Sequence, residues 1–106
     1  MYNLFMVVNT NDILDLIKTK KDDISKLGIT RVGLFGSFSR GEQNSESDID
    51  LLVEFDKNKK NFKNYMNFVR LTESLFGRNV EVVTPESLSP YIAPYIKEEI
   101  KYVKTA

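Results

Sequence analysis

The chain has 106 residues, which suits one domain around a single core and leaves no room for a second, substrate-binding domain. Lysine plus arginine and aspartate plus glutamate number 15 each, so no bulk basic field draws the protein to nucleic acid or an anionic membrane. The absence of cysteine and histidine excludes zinc sites built on thiolate or imidazole, cysteine nucleophiles and histidine-activated serines, and any metal must be held by oxygen.

Residues 1–9 open with an apolar run, lack a basic leader and are too short to span a bilayer, so they read as an N-terminal arm or strand of a protein that needs no membrane. Zero cysteine fits a reducing cytoplasm. From Thr10 the sequence predicts a helix, capped by Thr10 or Asn11, with Ile13, Leu14, Ile17, Ile24 and Leu27 on one face and Gly28 as its stop. Thr30–Phe35 is a short apolar strand that runs into Gly36-Ser37. Asp48–Phe55 is a second strand, followed by a lysine-rich loop at 57–60 whose charges read as a solvated edge.

A helix is predicted over Asn61–Phe76, closed by Gly77. Phe62, Tyr65, Met66, Val69 and Phe76 form one stripe, and Phe68, Leu71 and Leu75 form a second. The preferred reading is a helix sandwiched between the sheet and the terminal helix; the alternative is a surface for a partner or for a second copy of the chain, giving a homo-oligomer. Asn79–Val83 is the third strand, Thr84-Pro85 and Ser89-Pro90 are cap-and-proline pairs, and the tail with Ile92, Ile96, Ile100 and Val103 reads as helix from about Ala93. The order helix, strand, strand, helix, strand, helix predicts one α/β (α+β) domain over 1–106, a small mixed β-sheet with helices packed on it.

The chemistry concentrates in Gly36-Ser37, ten residues, then Asp48-Ile49-Asp50. Glycine lets backbone approach a ligand closely, and the turn that follows aims N–H groups outward. Alternation along a strand puts Asp48 and Asp50 on one side and Ile49, Leu51 and Val53 on the other. Two carboxylates held side by side repel unless a divalent cation neutralises them, and the oxygen donors suit Mg²⁺ or Mn²⁺. In Val80-Glu81-Val82-Val83 the same alternation turns Glu81 away from the core. If the three strands are neighbours, Glu81 joins the aspartates as a further metal ligand and as a base for an attacking hydroxyl. Arg40 has two readings, a contact to phosphate or a pairing with an aspartate that shapes the turn.

Leu34–Gly41, Ser47–Phe55 and Val80–Glu86 together resemble the minimal nucleotidyltransferases of the DNA polymerase beta superfamily, in particular the antitoxins paired with HEPN-domain ribonuclease toxins. The pattern G-S-x10-D-x-D is met without insertion, and the likeness runs from about Leu14 to the end. The resemblance implies a nucleotidyltransferase core in which Gly36 and Ser37 hold the nucleoside triphosphate, Asp48 and Asp50 bind Mg²⁺, and the third carboxylate falls on Glu81, where the family usually has aspartate. It further implies ATP as substrate, a HEPN-type toxin as partner and AMP transfer to a tyrosine of that toxin. Two other functions stand beside this one: a non-catalytic antitoxin that acts by binding, and a transferase acting on a small molecule.

Overall fold

The computed structural model describes residues 9–106. Asn9 caps helix α1 (Thr10–Thr19) through its side chain, which accepts from the Asp12 amide while the Asp12 side chain accepts from the Asn9 amide. The expected N-terminal arm or strand at 1–9 otherwise lies outside the described residues. The predicted first helix divides at Lys20 (φ −101°, ψ 15°) into α1 and α2 (Lys21–Lys26). The break still leaves Ile13, Ile17 and Ile24 fully buried.

Strand β1 (Ile29–Phe35) leads through Gly36 into the single-turn helix α3 (Ser37–Arg40), and strand β2 (Ile49–Phe55) returns antiparallel beside β1. Helix α4 (Phe62–Phe76), capped by Asn61, precedes strand β3 (Val80–Val83), which lies parallel to β2. A 3₁₀ turn at Pro85–Ser87 leads on to α5 (Ala93–Glu99), which starts where Pro94 predicted. The tail departs from expectation beyond this point. Ile100 adopts an extended conformation (φ −69°, ψ 138°), and Lys101–Lys104 is a fourth strand, β4, antiparallel to β1. The sheet order is β3-β2-β1-β4, a mixed sheet of the class expected from the sequence.

One face of the sheet carries the core. Val32 and Leu34 of β1 and Ile49, Leu51 and Val53 of β2 are fully buried, joined by Val82 and Val103. Phe38, Phe68 and Phe76 fill the space between sheet and helices, each contributing on the order of 2–3 kcal/mol of burial. Of the two stripes on α4, Phe68 lies in the core and Phe62 points to solvent, 78 % exposed, while Tyr65, Val69, Leu71 and Leu75 pack against the core partly covered. The proposed second surface around Phe68 is therefore corrected: its largest member is interior. Tyr65 spans to β3, where its hydroxyl donates to the Val82 carbonyl at 2.7 Å.

The opposite face of the sheet positions the candidate site. Strand register places Phe35 opposite Asp50 and Asp50 opposite Glu81, so one row crosses three strands. No helix among the described residues is long and apolar enough to cross a membrane.

Candidate active site

Asp48 stands immediately before β2 and is exposed, Asp50 is half-buried in the second position of the strand, and Glu81 is exposed in the short edge strand β3. The Asp50–Glu81 pairing follows from the local sequence. Ile49 and Leu51 are drawn to the core, which forces Asp50 to the other face, and Val80 and Val82 do the same for Glu81. Burial pushes the Asp50 carboxyl up to about 6, and the Glu81 and Asp48 carboxylates add to it. Arg40 pulls in the opposite direction and is outweighed. The site therefore disfavours the charged form of Asp50 unless a cation joins it.

Gly36 forms the floor beside it. Its φ of +78° is open to glycine and strained for other residues, and a β-carbon there would overlap the Asp50 carboxylate. The motif glycine thus answers two demands, a positive-φ backbone (φ 78°, ψ −156°) at the end of β1 and clearance for the acid on β2. Ser37 begins α3, and Phe38 anchors the turn by complete burial in the core. Thr10 of α1 donates its hydroxyl to the Phe38 carbonyl, which ties the turn to the first helix.

Arg40, on the last turn of α3, pairs with Glu42 at 2.8 Å and with Glu99 at 3.0 Å. Of its two sequence readings the pairing one holds in part, but the partners are glutamates and not the aspartates of the motif. The Glu99 carboxylate also accepts from the Gly36 amide. Glu99 gave no signal in the sequence, since its contacts reach across some sixty residues of chain.

Arg78 is a second residue that motif reading missed. Its guanidinium donates to the carbonyls of Asn44, Ser45 and Ser47 at 3.1–3.3 Å and lies 5.0 Å from the centre of the Phe38 ring. It thereby fastens the loop that delivers Asp48. The loop, Asp48, Glu73 and Arg78 line an open cleft of about 480 Å³ that adjoins the acidic row instead of enclosing it.

The donor set fits a magnesium ion of the kind that completes its shell with substrate phosphate. All donors are carboxylate oxygens, and the raised Asp50 carboxyl records burial first and, after it, the neighbouring Glu81 and Asp48 carboxylates, whose repulsion a divalent cation would relieve. Among the described residues no three acidic side chains converge into a ready-made cage. Magnesium is commonly held by one or two carboxylates with phosphate and water supplying the rest.

This arrangement, a glycine-serine turn facing strand carboxylates on a mixed sheet, defines a nucleotidyltransferase. The family model for the nucleotidyltransferase domain matches residues 16–103, and the chain belongs to that family. A Methanocaldococcus jannaschii protein whose name places it among the protein adenylyltransferases is 40% identical over 90 residues, covering 83% of this chain and 90% of its own. The protein adenylyltransferase MntA of Thermococcus cleftensis is 34% identical over 87 residues, covering 79% of this chain and 84% of its own. A solved minimal nucleotidyltransferase superposes with a TM-score of 0.67 at 27% identity, covering 83% of this chain and 93% of that one. The fold is also shared, at 20% identity and a TM-score of 0.52 over 80% of this chain and 69% of the other, with a complex of tri-AMPylated Shewanella oneidensis HEPN toxin and MNT antitoxin.

Proposed function

We propose that this chain is a Mg²⁺-dependent protein adenylyltransferase that transfers AMP from ATP to a tyrosine of a HEPN-type toxin and so acts as its antitoxin. The observation that carries the reading is the register pairing of Asp50 with Glu81 beside the Gly36 turn. Gly36 and Ser37 seat the triphosphate, with Arg40 at its edge. Asp48 and Asp50 hold Mg²⁺ with Glu81 as the third carboxylate. The bound ion would neutralise charge on the triphosphate and on the entering oxygen. The tyrosine hydroxyl oxygen bonds to the α-phosphorus, the bond from that phosphorus to the bridging oxygen breaks, and pyrophosphate leaves. Glu81 takes the hydroxyl proton. The protein relatives named for adenylyl transfer support this assignment, as does the fold shared with an antitoxin bound to an AMPylated HEPN toxin.

A second reading is an antitoxin that acts by binding alone, favoured by the exposure of Glu81 and its extra methylene. Mass spectrometry of a HEPN-type partner incubated with the chain and Mg²⁺-ATP separates the two. Each transfer adds about 329 Da, the mass of AMP less water. A stable complex with no mass gain overturns the transferase reading in favour of binding.

A further inference from the structure

The Glu99 carboxylate lies where the phosphate turn presents its binding groups. It accepts from the Gly36 amide and from the Arg40 guanidinium, whose Nη1 lies 3.1 and 3.0 Å from its two oxygens. The side chain is only 19 % exposed. One further bond holds its backbone, the Ser39 hydroxyl donating to the Glu99 carbonyl, and two residues on Lys101 Nζ donates to the Ser39 carbonyl, a second tie between α3 and this segment. An amide and a guanidinium of one turn are thus both committed to a single carboxylate carried by the α5–β4 junction. Gly36 is held between two acids, Asp50 on the β2 side and Glu99 on the β4 side.

We propose that Glu99 is a positioning residue that holds Arg40 and the Gly36 amide in the absence of nucleotide and must give both up to the triphosphate. An anion already at a seat competes with an incoming one, by occupancy and by like-charge repulsion. Two features make the exchange feasible. The carboxylate sits on a flexible side chain at the end of α5, so it swings away without moving the sheet. Arg40 keeps Glu42, 2.8 Å from its Nε, as a second partner that preserves its orientation after release. The α5–β4 segment thereby sets how tightly the nucleotide binds, although it carries none of the motif residues. The inference rests on the proposed seating of the triphosphate at Gly36-Ser37.

The test is calorimetric titration of the parent, Glu99→Gln and Glu99→Asp with Mg²⁺-ATP and with Mg²⁺-tripolyphosphate, alongside thermal unfolding of each. Glutamine keeps an acceptor for the Gly36 amide and removes the charge; aspartate keeps the charge and shortens the reach. Both variants are expected to bind both probes more tightly than the parent, by about fivefold for Glu99→Gln, the scale of one partly exposed ion pair. Glu42→Gln, which leaves Glu99 on the Gly36 amide and removes the partner that orients Arg40 after release, is expected to give no gain, and a gain as large as that of Glu99→Gln overturns the specific role of Glu99. Binding by folded Glu99→Gln or Glu99→Asp equal to or weaker than the parent's overturns the proposal and leaves the nucleotide site standing. Absence of binding by parent and variants alike overturns the phosphate seat and the proposal together. Tighter binding without AMP transfer to a HEPN-type partner supports the role of Glu99 and overturns the transferase reading.

Discussion

Asp50 and Glu81 face each other across the parallel β2–β3 pair, and together with Asp48 they raise the Asp50 carboxyl beyond what its half-burial alone would produce. A carboxyl whose folded pKa exceeds its unfolded value binds more protons when folded. Its contribution is complete below about pH 4 and is lost as the pH rises through about 6. The displacement from 3.8 to about 6 corresponds at face value to about 3 kcal/mol. Solvent screening of a group half open to water reduces this to about 1 kcal/mol.

Asp50→Asn is therefore expected to raise the melting temperature of the nucleotide-free protein at pH 7.5 by about 5 °C, with the gain vanishing near pH 4. The same variant is expected to lose the stabilisation that Mg²⁺-ATP gives the parent, about 3 kcal/mol at a hundredfold excess over the dissociation constant. Melting curves over pH 4–8, with and without Mg²⁺-ATP, check both. A variant that keeps the full ligand-dependent gain does not have its metal at Asp50.

Glu81→Ala removes the neighbour across the strand pair, so the Asp50 carboxyl is expected to move back toward the ordinary range, read by NMR titration of its side chain. AMP transfer is expected to fall by about a hundredfold or more, the usual loss when a general base is removed. Glu81→Asp is expected to keep or raise transfer. Equal transfer by Glu81→Ala and the parent removes Glu81 from the site.

Gly36 and Gly41 provide a matched pair on either side of α3. Both have positive φ, +78° and +71°, but a β-carbon at Gly41 meets nothing within 4 Å whereas one at Gly36 overlaps the Asp50 carboxylate. Gly41→Ala is expected to cost about 1 kcal/mol in denaturant unfolding and to leave nucleotide binding in place. Gly36→Ala is expected to cost about 2 kcal/mol or more and to abolish Mg²⁺-ATP binding. Similar binding by the two variants would remove the special status of Gly36.

Arg78→Ala frees three backbone carbonyls of the loop before Asp48 and exposes one side of the Phe38 ring. Destabilisation of about 1–2 kcal/mol is expected. Transfer should fall mainly through weaker Mg²⁺ dependence, with activity recovering as Mg²⁺ is raised. A fall that added Mg²⁺ does not relieve assigns Arg78 a purely structural part.

The acidic row was legible in the sequence because it depends only on strand alternation. Ile49, Leu51 and Val53 have to face the core, so Asp50 is turned to the other face, and the same logic placed Glu81. The fourth strand was not legible. Ile96, Ile100 and Val103 satisfy helical spacing as well as a helix followed by a strand, and a single extended residue, Ile100, makes the change with no glycine or proline to mark it. The break at Lys20 has no such marker either. On α4 the two stripes are correctly apolar, but only the docking angle on the sheet decides that Phe68 goes in and Phe62 stays out. Arg78 and Glu99 escaped for another reason: their roles come from long-range contacts to backbone and turn groups, which local patterning does not encode.

Strand β1 is flanked on one side by β2, about twenty residues onward, and on the other by β4, about seventy residues onward, with Arg31 in register with Lys104. The nearer pairing closes a short loop and the farther one a long loop, so the two have unequal entropic costs and are expected to form in that order. During synthesis, the turn with Gly36 and the row from Asp48 to Glu81 emerge before the segment that carries Glu99. A nascent chain is therefore expected to pass through an interval in which Gly36, Asp48, Asp50 and Glu81 have emerged and Glu99 has not, before β4 closes the sheet.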